Sequence, residues 1–248
     1  MELSEIWKER LDLFHKIDLD PEKYGIKRDM LAGPFLSTTL PDYDPGRHKA
    51  VMIVGRATHR DWYVNDFRAF KNEGKYSHER AINFLSRNTL HEIENNNNGD
   101  FFKFIKRISQ QISRIDAIDL PIYQNIIWSN LAKIGVSNGN PKNKLLRAQV
   151  ELARRTLLAE IEAYKLNLVI VTHGNYANCE RTGTDIVHSV FDSTEDPWIE
   201  DDSRFLWYRT GRFGSPAIML TDHPQNPAAK GHISFWVQIA LSLIIEQA

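Results

Sequence analysis

The sequence predicts an α/β protein, a three-layer αβα sandwich around a short, mostly parallel sheet of four strands. Three observations lead there. Four short apolar runs, at 50–54, 125–129, 168–172 and 217–221, alternate with helix-forming stretches, the pattern of right-handed crossovers in a parallel sheet. The clearest runs, AVMIV and LVIVT, lack the polar alternation of a half-exposed strand and so belong to strands covered on both faces. Each run hands over to polar residues at its carboxyl end, at 55–61, 129–133, 173–176 and 222–226.

Residues 4–17 place Ile6, Trp7, Leu11, Leu13, Phe14 and Ile17 at mostly helical spacing. Residues 24–48, with Pro34, Pro41 and Pro45, read as a long connection over the core. The division expected is residues 1–48 as helix and extended segment packed on an α/β domain of residues 49–248. After the first strand, 63–70 starts a helix and 77–84 starts another behind a Ser77 cap. Residues 95–98, all asparagine, make a loop tip. Phe101, Phe104, Ile105, Ile108 and Ile112 then recur every three or four residues, a helix with one apolar face. Residues 142–164 are rich in helix formers and lead directly into the third strand. Residues 185–191 read as helical, 192–214 as irregular, and 235–246 as the last helix.

Composition bounds the function. The chain has 248 residues, 42% hydrophobic and 25% charged, with a net charge of −1. A global basic field is therefore excluded as the attraction to nucleic acid, and any such contact has to come from a local patch. The single cysteine, Cys179, excludes an intrachain disulfide framework and fits a reducing, cytoplasmic setting. No apolar run approaches the roughly 20 residues that span a bilayer, so no membrane partner is expected. His59, His173, Asp222 and His223 show no recognised metal-ligand spacing, and neither metal nor cofactor is expected.

In a parallel sheet the four polar exits lie on one edge and can face one ligand. Gly55 permits a sharp turn there, so that Arg56, Thr58, His59, Arg60 and Asp61 either line a cleft or form a charged surface loop. His173 taken alone is more often structural, and Asn130 taken alone can simply cap a turn. Two histidines, several amides and an arginine at coincident strand ends favour a binding site.

In their order along the chain, IVGRATHRDWY, NIIWSNLAKIG, LVIVTHGNYA and IMLTDHPQNPAAKGH resemble the motifs of the uracil-DNA glycosylase superfamily. The resemblance covers 49–236. It implies a uracil-DNA glycosylase-like fold in which the first motif, from Gly55 through Ala57, borders the substrate; Arg56 has no counterpart in that superfamily, and Arg56 and Thr58 are substrate-binding candidates by their place at the strand end. The resemblance implies that His223 hydrogen-bonds the pyrimidine O2 and stabilises the departing base, and that Asn130 reads the edge of a flipped base with one acceptor and two donors. Asn226 lies in the loop after the His-Pro pair. Phe67 or Phe70 stands where an aromatic stacks on the base, and either can equally be core. Two departures stand out. Ala57 occupies the position of a water-orienting aspartate, leaving Asp61 or Asp222 to hold the water or to pair with arginine. Residues 225–229 also lack the bulky wedge that pushes a base from a duplex.

Three functions follow. One is hydrolysis of an N-glycosidic bond in single-stranded or damaged DNA, with His223, Asp61 and Asp222 catalytic. The second is non-catalytic binding of a nucleobase or nucleic acid. The third is hydrolysis of, or transfer on, a free nucleotide, with Arg56 and Arg60 clamping the phosphate.

Overall fold

The computed structural model describes residues 2–39, 43–44, 49–59, 65, 67–68, 70, 76–95, 99–115, 125–138, 141, 143–172, 197–211 and 215–246, with backbone alone at 56–59 and 93–94. The α/β class holds. The sheet, however, has seven strands and is mixed, where four mostly parallel ones were expected.

In chain order the strands are β1 (Leu31–Ala32), β2 (Val51–His59), β3 (Ile126–Val136), β4 (Leu168–Thr172), β5 (Ile199–Asp201), β6 (Leu206–Arg209) and β7 (Ala217–Thr221). They lie side by side as β1-β3-β2-β4-β7-β6-β5. The four strands legible as apolar runs are the parallel quartet β3-β2-β4-β7 in the middle. The three that were missed pair antiparallel at the edges. Their concealment has a physical cause: β1 is two residues long, and β5 is Ile-Glu-Asp with its first two residues exposed. Neither carries a hydropathy signal. Thus part of 192–214, expected to be irregular, is a hairpin at the sheet edge.

Six helices complete the described chain: α1 (Leu3–Leu19), α2 (His78–Asn95), α3 (Asp100–Ile115), α4 (Asn143–Arg147), α5 (Val150–Tyr164) and α6 (Ile233–Ile245). Positions 65, 67, 68 and 70 are helical as well. The Ser77 hydroxyl accepts from Arg80 N–H at 3.3 Å, capping α2 as expected. The helix expected over 142–164 breaks into α4 and α5, and Gln149 at the break uses its side chain elsewhere. Its carboxamide accepts from Ile134 N–H at 3.1 Å and donates to Ile134 C=O at 2.7 Å, fastening β3 to the helix pair.

Alternation along the strands sorts the core into two layers. Val51, Ile53, Ile126, Trp128, Leu168, Ile170, Ala217 and Met219 face α3 and α6. Met52, Val54, Ile127, Val169, Val171, Ile218 and Leu220 face α5. Burial on both faces explains why the runs are continuous. α1 packs on α5 and α2, and its Leu11, Phe14 and Ile17 share a third apolar cluster with Leu31, Leu36 and Ile134. The first 48 residues therefore supply a helix and a strand to the body of the protein.

The chain goes from β2 to β3 on one side, then crosses to β4 on the other. The strand order thus reverses at the β2–β4 boundary, where open α/β sheets bind ligands beyond the carboxyl ends.

Candidate functional site

The register of the quartet places one residue from each strand in a row across the sheet, on the face covered by α3. Gly55 stands opposite Asn130, Val54 opposite Val171, and Thr172 opposite Thr221. The row is therefore Asn130, Gly55, Thr172, Thr221. Three strand spacings separate its ends, roughly 14 Å.

Gly55 does not turn the chain there. β2 continues to His59 and β3 to Val136, paired through Ala57 with Ala132 and His59 with Val136, with a register irregularity between Ala57 and His59. Backbone pairing outlasts the apolar side chains, so the polar residues 55–59 and 130–133 are strand and not exit loop. The glycine has a different use. A Cβ at position 55 would lie 2.5 Å from Asn130 Oδ1, so the absent side chain makes room for the Asn130 carboxamide. Asn130 is 5% exposed, and its carboxamide forms no hydrogen bond with a described residue while keeping contact with solvent. A buried amide without a partner is costly unless something else satisfies it. Thr172 Oγ1 donates to Val54 C=O at 3.2 Å, whereas the buried Thr221 hydroxyl has no partner among the described residues.

Beyond Thr221 the chain forms a clamped loop. Asp222, 4% exposed, accepts from His223 N–H at 2.6 Å with Oδ1, and its Oδ2 accepts a short hydrogen bond from Asn226 Nδ2. The Asn226 carbonyl oxygen accepts in turn from Ala228 N–H at 3.2 Å. Asp222 thus ties the loop together through both of its oxygens. Asn226 serves the same loop through both ends of its amide. The His223 imidazole accepts at Nδ1 from Gln225 N–H at 3.3 Å. In the neutral ring this leaves the proton on Nε2, which makes that atom a donor.

Aromatic rings join the two ends of the row. Phe101, in the first turn of α3, stacks on His223 with centroids 5.5 Å apart and planes 8° apart. It also lies 6.0 Å from Trp128, two residues before Asn130 on the same face of β3. Phe102 meets Trp128 at 5.4 Å. Phe67 and Phe70, read from the sequence as either base-stacking or core, both pack in an apolar cluster. Phe67 is fully buried, and Phe70 stacks on Phe84 at 5.1 Å with Arg80 over its ring. Both belong to the cluster of α1 and α2. Phe101 went unnoticed because it also fits the helix's apolar stripe, and because 122 positions separate it from His223.

The opposite face of β3 is sealed. Lys133, expected in a ligand-facing exit, is buried with its ammonium 2.8 Å from Glu160 Oε1 and 2.5 Å from Ser129 Oγ. Ser129 donates to Glu160 Oε2 at 2.7 Å and Ser37 to Oε1 at 2.6 Å. Burial pushes the Lys133 ammonium below its usual range, with Glu160 pulling the other way. It also pushes the neighbouring Arg10 down to about 10.

Several sequence-predicted positions lie outside the described residues: Arg60, Asp61, His173 and Cys179. Of Arg56, Ala57, Thr58 and His59 only the backbone, in β2, is described. Among the described residues no group of three or more His, Cys, Asp or Glu gathers as a metal site would, and no helix is long and apolar enough to cross a membrane.

No family model matches the chain, and no curated protein matches it. One similar solved structure is a domain of unknown function from Bordetella bronchiseptica, crystallised with bound citrate as a domain-swapped dimer. It is 11% identical, with a TM-score of 0.31 over 82% of this chain and 43% of that one. The protein thus spans less than half of that neighbour's length.

Proposed function

We propose that this protein is a DNA glycosylase of the uracil-DNA glycosylase kind, which holds an extruded, deaminated base between Asn130 and His223 and hydrolyses its N-glycosidic bond. The observation that carries the reading is convergence. A carboxamide without a partner among the described residues and an imidazole whose Nε2 carries the proton in the neutral ring stand on one face and one edge of the sheet, bridged by Phe101 and Trp128.

In this mechanism the Asn130 amide pairs with the base edge, which offers both an acceptor and a donor. Phe101 fixes the plane of the His223 ring. As the bond between C1′ and the base nitrogen breaks, its electron pair moves into the base and His223 Nε2–H stabilises the charge growing on O2. Water adds its hydroxyl to C1′, and its proton passes to solvent or to the departing base. An extruded or single-stranded base suits the site, because less unstacking is required.

One observation favours a second reading, recognition of the base without cleavage. Ala57 stands where a carboxylate is expected, and both oxygens of Asp222 are engaged in the loop. Asp61 is then the sequence's remaining candidate to orient water.

The test is incubation with oligonucleotides carrying uracil, hypoxanthine or xanthine, followed by alkali and gel analysis. Cleavage lost in both His223→Ala and Asn130→Ala is expected. A gel shift favouring the modified base, with no cleavage, selects the second reading. Neither cleavage nor preference for any of these bases overturns both.

A further inference from the structure

We infer that the outer face of α3 and its groove with α6 form a track for the phosphate backbone of single-stranded DNA leading away from the base pocket. This rests on the nucleobase reading above and extends it to the flanking strand.

The chain's net charge is −1, but its cations are unevenly placed. α3 has the sequence DFFKFIKRISQQISRI, with Asp100 its one acidic residue. That carboxylate is already matched, 2.7 Å from Lys230 and 3.6 Å from Lys103. Its pKa lies below the usual range, chiefly through the Lys230 hydrogen bond. Farther along, Lys106, Arg107 and Arg114 pair with no carboxylate among the described residues, and both arginines are exposed. Lys103, Arg107, Gln111 and Arg114 fall within an arc of about 80° at 3.6 residues per turn and span about 16 Å of helix. They make a single basic line.

Two further features point to an extended polyanion rather than to solvent. Beside the line, Arg107 and Gln111 of α3 meet Ser234 and Gln238 of α6 around a floor of Val237 and Leu241, in a groove of about 430 Å³. Polar side chains that donate and accept around an apolar floor suit a sugar–phosphate chain. The helix that carries the line also begins beside the pocket, at the Phe101 ring stacked on His223. A strand whose base enters the pocket has its neighbouring phosphates delivered to the start of α3. Single-stranded DNA is the occupant that fits, because local cations must do what the net charge does not.

The test uses the full-length protein and a fluorescent 15-mer DNA of ordinary bases, with the dissociation constant measured by anisotropy across a salt series. Wild-type protein is expected to bind at low salt. Each of Arg107→Gln and Arg114→Gln should reduce the slope of log K against log salt by about 0.7, and the double variant by about 1.4. Both side chains are exposed, so unchanged circular dichroism and melting confirm that folding is not the cause. No binding of the 15-mer at low salt, or an unchanged slope in the double variant, overturns the track. The two ideas fail separately. If the arginine variants lower the slope but modified bases are neither cleaved nor preferred, the pocket reading falls and the track stands. If modified bases are cleaved while the slope stays put, the pocket stands and the track falls.

Discussion

Ser129 and Asn130 are adjacent on β3 and point to opposite faces, and their surroundings differ completely. Ser129 sits in a closed set of partners, Lys133, Glu160 and Ser37, in which each group donates to or accepts from another. Asn130 has no side-chain partner among the described residues, retains contact with solvent, and has space kept for it by Gly55. Burial is similar for both, so burial does not separate them. Satisfaction does. A polar group closed off among protein partners holds the fold together, whereas one left to solvent at a sheet's ligand edge can exchange that water for a partner from outside.

The largest expected effect is on the closed side. Lys133→Met strands the Glu160 carboxylate and should cost about 3–5 kcal/mol of stability in urea unfolding. The double variant Lys133→Met/Glu160→Leu should recover most of it. Equal loss in single and double variants would mean that the pair is not the unit described. On the open side, His223→Ala should lower cleavage by roughly two to three orders of magnitude with little change in melting temperature. A loss under tenfold removes the oxyanion role. Gly55→Ala brings a methyl into the Asn130 amide and should cut base preference by about tenfold, or about 1.4 kcal/mol. The same change in an Asn130→Ala background should do little. If it is equally damaging there, the glycine serves the strand and not the amide.

Smaller effects sharpen the picture of the loop that carries His223. Asn226→Ala removes one partner of Asp222 and should lower stability by about 1 kcal/mol, visible as a drop in melting temperature together with weaker base selectivity. Least of all, the Lys230 contact holds the Asp100 carboxyl below its usual range. Its contribution is full above the ordinary carboxylate pKa and fades as pH falls through the lowered one, because the unfolded chain takes up the proton first. Lys230→Gln should flatten that acid limb of the stability profile. An unchanged limb would mean that the contact does not persist in solution.

The parallel quartet was legible because strands covered on both faces must be apolar throughout, as AVMIV and LVIVT are. The edge strands were not, because pairing on one side only places no such demand on Ile199, Glu200 or Asp201. At the site, Asn130, Gly55 and His223 were readable as residue types at strand ends. What each faces was hidden. Ser129 and Lys133 looked like members of the same exit as Asn130 until strand alternation put them behind the sheet. The hydrogen bond between Asn226 and Asp222 has no mark in the sequence beyond their spacing of four. Phe101 reads as core alone in the sequence, since nothing local links it to a histidine 122 positions away.

Whether Asn130 and His223 grip one base is decided by nitrogen-edited NMR of both side chains during titration with an oligonucleotide carrying a single deaminated base. The Asn130 amide and His223 Nε2–H signals should shift together, along curves that give one dissociation constant, and should stay still with an unmodified strand. Movement of one signal without the other, or equal shifts with unmodified DNA, would contradict that shared grip.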